Sequence, residues 1–401
     1  MTKKSDAPAI RFKGFSDAWE QRKFEEIAVR SSVICSDDTL PRVEYEDIVS
    51  GTGRLNKDIY AKQSSKSGIV FHQGDVLYGK LRPYLQNWLL PTFDGLAVGD
   101  FWVLQPQNAD SSFLYRLIQS RQFDEVANQS TGTKMPRADW KLVSKTVFSI
   151  PSNISEQAAI GTYFTALDSL ITLHQRKFEK LTNVKKSMLE KMFPQNGSSY
   201  PEIRFKGFTD PWEQRKVSDL AEKTYGGGTP TTSNEAYWNG DIPWIQSSDV
   251  VDGKLLGVEP RKWITQDGLN NSAAQRIPGN SIAIITRVGV GKLAFMPYSY
   301  ATSQDFLSLS KLNAEPLFTV YACYKKLQSE LNAVQGTSIK GITKDELLAK
   351  NIMVPRYAEQ QQIGAFFKQL DNLITLHQRK PFLMKWRTSD ANRNQTNRLV
   401  L

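Results

Sequence analysis

The most regular pattern in the chain is an apolar stripe between residues 155 and 192. Its positions are separated alternately by four and three residues: Ile160, Phe164, Leu167, Ile171, His174, Phe178, Leu181, Lys185, Met188 and Met192. This spacing is a heptad seam, which buries one side of a helix against a partner helix. The pattern therefore predicts one helix roughly 55 Å long at ~1.5 Å per residue.

A second, shorter seam lies near the end of the chain. It contains Ile363, Phe367, Leu370, Ile374 and His377. Both helices begin with a Glu-Gln pair, at 156–157 and 359–360, and acidic residues favour the first turn of a helix. The next seam position holds Pro381 instead of an equivalent of Phe178, and proline costs ~3 kcal/mol inside a helix. We therefore expect the second helix to be truncated near residue 380.

The two seam histidines, His174 and His377, occupy equivalent positions. A polar residue at such a position commonly sets the register of a coiled coil, and this is the favoured interpretation. A metal-binding or pH-sensing role is the alternative. His72 is isolated in the sequence and is interpreted as structural.

The stretch before each helix has the pattern of a mixed α/β domain. Short β-branched or aromatic runs alternate with turn signals, as at 68–78 and 281–286. A proline closes the last predicted strand of each stretch, at Pro151 and Pro355. Each half of the chain is thus expected to be a mixed domain followed by a helix.

Two segments of the sequence occur twice in the chain, in the same order. Residues 10–23 recur at 203–216 with an offset of 193, and residues 170–177 recur at 373–380 with an offset of 203. Fainter matches keep the same order between these segments, such as Asp100-Phe101 with Asp305-Phe306 and Asp47-Ile48 with Asp249-Val250. A period near 200 residues is too long for a solenoid, so we interpret the repeat as a duplicated domain.

The repeat and the two seams together predict the domain boundaries. The predicted segments are a first mixed domain at 1–152, a central helix at 153–194, a second mixed domain at 195–355, a distal helix at 356–380 and a divergent polar tail at 381–401.

Composition and charge narrow the class of protein. The 401 residues have 51 basic and 41 acidic side chains, a net charge of +10 that favours a polyanionic partner such as DNA. Cys35 and Cys323 are too few for a disulfide framework. The sequence has no apolar run long enough to span a membrane and no secretory signal at its start, so we expect a cytoplasmic protein.

The sequence lacks the common catalytic motifs. The glycine-rich segments at 226–230 and 289–293 do not continue with the Lys-Ser or Lys-Thr of a phosphate-binding loop, and we interpret both as turns. The three histidines show no zinc-ligand spacing. There is no Pro-Pro pair, as amino-methyltransferases require, and no Glu-x-Lys of a metal-dependent nuclease. We therefore predict no catalytic residues and no bound metal.

Basic, aromatic and amide side chains in predicted loops are the candidates for binding DNA. Such residues bind phosphates and read base edges, although any one of them could equally be a solvated loop residue. The candidates are Lys80, Arg82, Tyr84, Lys134 and Arg137 in the first copy, and Ser247, Thr286, Arg287, Gln304, Lys340 and Lys344 in the second. Lys134 and Lys340 each follow a Gly-Thr pair of their own copy.

These features together resemble the specificity subunit of type I restriction–modification enzymes. The likeness lies in the duplicated Arg-Phe-Lys-Gly-Phe-x-Asp-x-Trp-Glu-Gln-Arg-Lys motif and in the two Glu-Gln-x-x-Ile-Gly-x-x-Phe helices that end in Leu-Ile-Thr-Leu-His-Gln-Arg-Lys. It also includes the run from Gly227 to Thr231 that leads to the segment 238–245. The resemblance covers the chain from about residue 10 to residue 380.

The resemblance implies an α+β fold with two homologous target-recognition domains, joined and spaced by long antiparallel helices that form a coiled coil. It implies that each domain reads one part of a split site in double-stranded DNA and that the subunit is not itself an enzyme. Two methyltransferase subunits would bind it and use S-adenosylmethionine. Motor-nuclease subunits would bring ATP and Mg²⁺ chemistry, so this chain would need no cofactor of its own.

Two other interpretations stay open at this point. The chain could be a self-sufficient restriction or methylation enzyme, which the missing motifs disfavour, or a coiled-coil interaction protein that binds DNA non-specifically. The expected truncation near 380 has a further consequence. It would leave Phe178, Leu181, Met188 and Met192 without a partner helix, to be covered by a methyltransferase subunit or another copy.

Overall fold

The structure is a computed structural model that describes residues 8, 10–61, 64–129, 135–195, 197–333 and 341–393, with only the backbone described at 332–333 and 379–393. The chain divides into two compact units. The first unit comprises residues 1–173 together with 381–401, and the second comprises residues 174–380. The candidate residues Lys134 and Lys340 lie outside the described residues.

The first unit is a mixed α/β domain. Its strands are β1 Trp19–Lys23, β2 Ala28–Ser31, β3 Ile34–Cys35, β4 Arg42–Val43, β5 Ile48–Val49, β6 Arg54–Leu55, β7 Gly68–Phe71, β8 Val76–Gly79, β9 Trp88–Leu89, β10 Gly95–Ala97, β11 Phe101–Pro106 and β12 Val147–Pro151. Its helices are α1 Phe24–Ile27, α2 Ser111–Leu117, α3 Arg121–Ala127, α4 Trp140–Lys145 and the first part of α5 Ile154–Lys191. Short 3₁₀ turns lie at Tyr45–Asp47 and Pro83–Leu85.

The second unit contains the same kinds of element. Its strands are β13 Glu213–Lys216, β14 Ala221–Gly226, β15 Trp238–Ile245, β16 Lys262–Ile264, β17 Ser281–Ile285, β18 Leu293–Met296, β19 Ala301–Thr302, β20 Phe306–Leu312 and β21 Asn351–Val354. Its helices are α6 Gln266–Asn270, α7 Pro316–Ala333, α8 Lys344–Leu348 and α9 Tyr357–Arg393 as far as residue 380, together with the rest of α5. Short 3₁₀ turns lie at Val217–Leu220, Glu235–Tyr237 and Ser247–Asp249.

The two units share a sheet topology, which confirms the predicted α+β class and the duplication. The order β2-β11-β8-β9 in the first unit corresponds to β14-β20-β17-β18 in the second. The parallel pair β4–β10 corresponds to the parallel pair β15–β19, and the antiparallel pair β1–β12 corresponds to β13–β21. The two halves of the chain therefore have equivalent strand orders and strand pairings.

The central sheet of each unit is buried on both faces. Successive side chains of a strand point to opposite faces, so Tyr78 and Trp102 lie in one apolar cluster while Leu77 and Phe101 lie in another. The second unit repeats this division, with Ile282, Ile284 and Leu309 on one side and Ala283, Ile285 and Phe306 on the other. This explains why these strands are continuous apolar runs in the sequence.

The opening motif of each copy holds the domain to its long helix through a buried ion pair. The guanidinium of Arg11 donates two hydrogen bonds of 2.6 Å to the carboxylate of Glu156, which is 1% exposed. Arg204 binds Glu359 in the same way, with two hydrogen bonds of 2.8 Å. These hydrogen bonds raise the pKa of both arginines. The Arg and Glu of the repeated motifs are therefore partners in the fold.

A glutamine and a glycine complete each attachment. The side chain of Gln157 accepts a hydrogen bond from the Asp110 amide at 2.9 Å, and Gln360 does the same for Glu315. A Cβ atom on Gly161 would lie 1.9 Å from Ser112 Oγ, and one on Gly364 would lie 2.9 Å from the Phe318 amide nitrogen. We name these sets the first joint (Arg11, Glu156, Gln157, Gly161) and the second joint (Arg204, Glu359, Gln360, Gly364).

The prediction of long helices with a buried seam is confirmed. α5 extends over 38 residues, and each seam residue between Ile160 and Met192 is buried or half-buried. In the second unit the distal part of α5 runs antiparallel to α9: His174 Nδ1 lies 2.8 Å from His377 Nδ1, Lys185 Nζ lies 2.5 Å from Asp371 Oδ1, and the rings of Phe193 and Phe367 lie 6.0 Å apart. The position of the two histidines against each other agrees with a register-setting role.

The prediction that the seam ends without a partner is wrong for three residues. Met192 is 3% exposed in the core of the second unit, and Leu181 and Met188 pack against that core. The core includes residues of α7 and α9, so the second domain itself covers this end of α5. Phe178 is half-buried.

The predicted end of the distal helix near residue 380 is also wrong. α9 continues through Pro381 to Arg393. A proline removes its own hydrogen bond to the carbonyl four residues earlier and its ring crowds that carbonyl, so the defect is confined to about one turn. The following residues from Leu383 to Arg387 include several good helix formers, so the helix can continue beyond the local defect.

Candidate nucleic-acid interface

Three segments of the first unit meet where β8 ends. We name this place the first crossing and define it as residues 80–84, Asp100 and residues 136–138. The Lys80 amide donates to the Asp100 carbonyl at 2.9 Å, and the Ala138 amide donates to the Lys80 carbonyl at 2.8 Å. The main chain thus fixes the candidates Lys80, Arg82, Tyr84 and Arg137 in one neighbourhood.

Two basic side chains of the first crossing, Lys80 and Arg137, pair with Asp100. Arg137 Nη2 lies 3.0 Å and Lys80 Nζ 3.5 Å from the carboxylate of Asp100. Burial by itself raises the pKa of Asp100, but the hydrogen bond from Arg137 and the charges of Arg137 and Lys80 outweigh it and hold that pKa below its usual value. Asp100 is therefore ionised at neutral pH and neutralises part of the positive charge.

Tyr45 is a member of this site that sequence reasoning missed. Its hydroxyl donates to the Asp100 carbonyl at 2.6 Å and accepts from the Leu81 amide at 2.8 Å. Burial raises the pKa of Tyr45, so the hydroxyl keeps its proton. The only signal in the sequence was its position two residues before Asp47, which aligns with Ser247 before Asp249.

The two other candidates at the first crossing are Arg82, with a guanidinium group, and Tyr84, with an aromatic ring. Arg82 has a φ of 48°, a left-handed conformation that is uncommon outside glycine. Its Nε is buried and has no hydrogen-bond partner among the described residues. Tyr84 follows in the 3₁₀ turn and is 57% exposed. An exposed aromatic ring next to fixed cations suits contact with a nucleic acid.

The second unit builds an equivalent site, which we name the second crossing and define as residues 286–287, Asp305 and residues 341–344. The Thr286 amide donates to the Asp305 carbonyl at 2.8 Å, and the Ile342 amide donates to the Thr286 carbonyl at 2.8 Å. Thr286 thus takes the place of Lys80, and Asp305 that of Asp100. The backbone frame is the same in both crossings.

The side chains of the second crossing are different. Thr286 is buried and its hydroxyl donates to the Asp305 carbonyl at 3.1 Å, so it offers little to a ligand. The Asp305 carboxylate accepts from Ser303 Oγ at 3.3 Å. Arg287 and Lys344 are exposed, and neither forms an ion pair with another described residue. The cations of this crossing are therefore open to solvent.

Ser247 and Gln304 lie on the segments next to the second crossing. Ser247 is half-buried in a 3₁₀ turn whose Asp249 carboxylate accepts from the Gln246 amide at 3.1 Å. The exposed Gln304 precedes Asp305, and its side-chain oxygen accepts from Thr229 Oγ1 at 2.6 Å. The glycine-rich segment before Thr229 packs closely, since a Cβ on Gly227 would lie 1.9 Å from the Ser303 carbonyl.

Neither a metal cluster nor a membrane helix is found in the described part of the chain. No group of three or more His, Cys, Asp or Glu side chains there could hold a metal ion. The helices within the same residues are not long and apolar enough to cross a membrane.

Comparisons with known proteins support the resemblance seen in the sequence. Residues 209–382 match the family model of the type I restriction modification DNA specificity domain. The chain is 31% identical over 227 residues to the EcoR124I/EcoR124II specificity subunit of Escherichia coli, covering 55% of this chain and 52% of that protein. It is 29% identical over 170 residues to the MjaIX specificity subunit of Methanocaldococcus jannaschii, covering 41% of this chain and 38% of that protein.

Solved structures agree on the fold. The type I restriction–modification S subunit from M. genitalium matches with a TM-score of 0.63 at 11% identity, over 98% of this chain and all of that one. A chain from a structure of a type I restriction–modification system matches with a TM-score of 0.52 at 19% identity, covering 94% and 96%. The aligned part spans about half or less of the first curated relatives. The resemblance to type I specificity subunits is thus confirmed.

Proposed function

We propose that this chain is the DNA-recognition subunit of a type I restriction–modification complex, in which each unit reads one part of a bipartite site. The observation that carries the proposal is the pair of crossings. Their hydrogen-bonded backbone is the same, whereas Lys80 and Leu81 in one are replaced by Thr286 and Arg287 in the other. A constant frame that carries different side chains at equivalent positions is what two readers of different sequences require.

The chemistry of the crossings fits DNA. Lys and Arg side chains bind phosphates, and Arg and Gln also form paired hydrogen bonds with base edges in the major groove. We assign Lys80, Arg82, Tyr84 and Arg137 to one half-site, and Arg287, Gln304 and Lys344 to the other. The net charge of +10 adds a sequence-independent attraction.

We further propose that partner subunits carry out the modification and cleavage of DNA. By similarity to the named relatives, this chain would be a non-catalytic subunit that binds methyltransferase subunits and, through them, motor-nuclease subunits. S-adenosylmethionine, ATP and Mg²⁺ would then be used by those partners. We expect the complex to act in the cytoplasm, where the DNA of its host lies.

A domain exchange tests the proposal. Residues 217–350 would be replaced by the corresponding segment of another specificity subunit, which leaves Arg204 and the residues of α9 in place. The full chain would be produced with its methyltransferase subunit, and methylated sites would be mapped across the genome of the host. We expect one half of the methylated sequence to change and the other half to stay the same.

Three outcomes would contradict the proposal. If both halves changed together, the units would not read independently. If the unmodified chain gave no methylation and bound all duplexes equally, the chain would be a coiled-coil protein with non-specific DNA binding. Methylation by the purified chain without a partner would instead indicate an enzyme.

A further inference from the structure

The first crossing holds its basic side chains in a way that the second does not. Asp100 pairs with both Arg137 and Lys80, at 3.0 and 3.5 Å. These three side chains are partly exposed, at 28%, 55% and 30% for Asp100, Arg137 and Lys80. Ion pairs with this exposure contribute at most about 1 kcal/mol, so a phosphate or a base edge could displace the carboxylate.

The position of Asp100 is fixed by its own main chain. Its carbonyl accepts from the Tyr45 hydroxyl at 2.6 Å and from the Lys80 amide at 2.9 Å. The backbone of Asp100 is therefore fixed beside Lys80, at a position from which its carboxylate reaches both cations. Any phosphate that approaches Lys80 or Arg137 meets this negative charge as well.

The equivalent residue of the second unit lacks this arrangement. The carboxylate of Asp305 accepts from Ser303 Oγ, and the residue in the place of Lys80 is the uncharged Thr286. The fold therefore does not require an acid–base cluster at this point. The cluster is a property of the first crossing alone among these two sites.

We propose that Asp100 is a specificity-determining residue, which competes with DNA phosphates for Lys80 and Arg137 and so weakens binding to duplexes that lack the target. A target sequence offers base acceptors that replace the carboxylate with directed hydrogen bonds. A non-target duplex offers only the phosphates, and the competition with Asp100 makes those contacts weak. This inference rests on the proposed function, because it assumes that the first crossing contacts DNA.

The experiment compares Asp100→Asn with the matched variant Asp305→Asn, which makes the same change in charge but frees no cation. Each full chain would be reconstituted with its methyltransferase subunit. Affinities would be measured from 50 to 200 mM salt for a duplex that carries the methylated sequence and for an unrelated duplex of equal length.

We expect Asp100→Asn to raise the affinity for the unrelated duplex roughly five- to tenfold at 0.1 M salt, because about one more phosphate contact becomes available. The affinity for the target should change much less, so the ratio of the two affinities falls. Asp305→Asn should leave that ratio as it is. Adding Arg137→Gln to Asp100→Asn should remove the gain.

Several results would overturn the inference. Asp100→Asn could raise the affinity for both duplexes equally, or it could lower the affinity for both. Asp305→Asn could also lower the ratio of the two affinities as much as Asp100→Asn does. If Asp100→Asn does not fold, Arg137→Gln alone provides the test: it should weaken target binding and spare the unrelated duplex, and an equal loss for both would overturn the inference. A wild-type complex with no preference for the target would instead contradict the proposed function.

Discussion

The joints and the crossings differ in what the two units keep in common. At the joints both the backbone and the side chains repeat, so that Arg11 with Glu156 matches Arg204 with Glu359 atom for atom. At the crossings the backbone hydrogen bonds and the aspartate repeat, but the other side chains differ. Sequence identity between the copies is thus found where a domain is attached to its helix, and divergence is found at the side chains that we propose to contact DNA.

The difference in burial explains why the side chains are the same at the two joints and differ between the two crossings. The joint contains a carboxylate that is 1% exposed, and a buried charge needs its partner in place. The crossing exposes Tyr84 and Arg287 to water, where a change of side chain has little effect on folding. The four predictions below test this contrast, from the largest expected effect on stability to the smallest.

Replacing Glu359 with alanine should have the largest effect. It leaves the Arg204 guanidinium without its carboxylate partner, and breaking a buried pair of this kind costs about 3–4 kcal/mol. Urea denaturation would measure the loss, with Glu213→Ala as the control, since its pair with Arg215 is largely exposed. Glu156→Ala should cause a comparable loss. A marked loss in one joint with none in the other would contradict the equivalence of the units.

The next two variants compare equivalent aspartates on the long helices. Asp371 binds the buried Lys185 and accepts from the Tyr321 hydroxyl at 2.7 Å, whereas Asp168 is 52% exposed where it binds Arg116. We expect Asp371→Ala to cost about 2–3 kcal/mol, because a buried cation loses its charged acceptor. Asp168→Ala should cost about 1 kcal/mol or less. Equal losses in thermal unfolding would show that burial does not govern these pairs.

Gly364→Ala should have an intermediate effect. The added Cβ would lie 2.9 Å from both the Leu317 Cβ and the Phe318 amide nitrogen, so the helix must move away from the domain, at about 1–2 kcal/mol. Gly226→Ala is the control, because a Cβ there meets nothing within 4 Å. Unfolding midpoints of the two variants would give the comparison. An unchanged midpoint for Gly364→Ala would mean that the second joint is not closely packed.

Arg287→Ala should have the smallest effect on stability, within about 0.5 kcal/mol, because the side chain is exposed. Its effect should appear in DNA recognition. If Arg287 reads a base, discrimination at one position falls by about 1–3 kcal/mol; if it binds a phosphate, the salt dependence falls by about 0.9 in slope. Mapping of methylated sites would show which half-site changes. Relaxed recognition in both halves would contradict the division between the crossings.

Much of the fold follows from the sequence, because its strongest signals are periodic and repeated. The seam from Ile160 to Met192 predicts a helix that the structure has at Ile154–Lys191. Two predictions were wrong, namely that the end of the first seam lacks a partner and that the distal helix ends near residue 380. Both concern regions beyond the reach of the heptad pattern. Met192 packs in a core with residues of α7 and α9, and the spacing of apolar residues within α5 cannot reveal these partners. Pro381 does not end α9.

The candidate site is less accessible to sequence reasoning. The sequence suggested Lys80 and Arg137 as basic loop residues, but it gave no sign that both pair with Asp100. It also placed Thr286 among the DNA-binding candidates, although its hydroxyl is turned to the Asp305 carbonyl. Tyr45 was missed because a single tyrosine far from Leu81 in the sequence carries no pattern.

The sequence by itself determined that one fold occurs twice, which segments are kept between the copies, and where the long helices begin. Those properties rest on short-range periodicity and on repetition, which are visible in a single chain. Only the tertiary structure decided that the kept residues are joints, and that Asp100 pairs with Lys80 and Arg137 at one crossing while Arg287 and Lys344 at the other form no ion pair with a described residue. Contacts of that kind join residues far apart in the sequence, by 20 positions for Lys80 with Asp100 and by 145 for Arg11 with Glu156, and they exist only once the chain has folded.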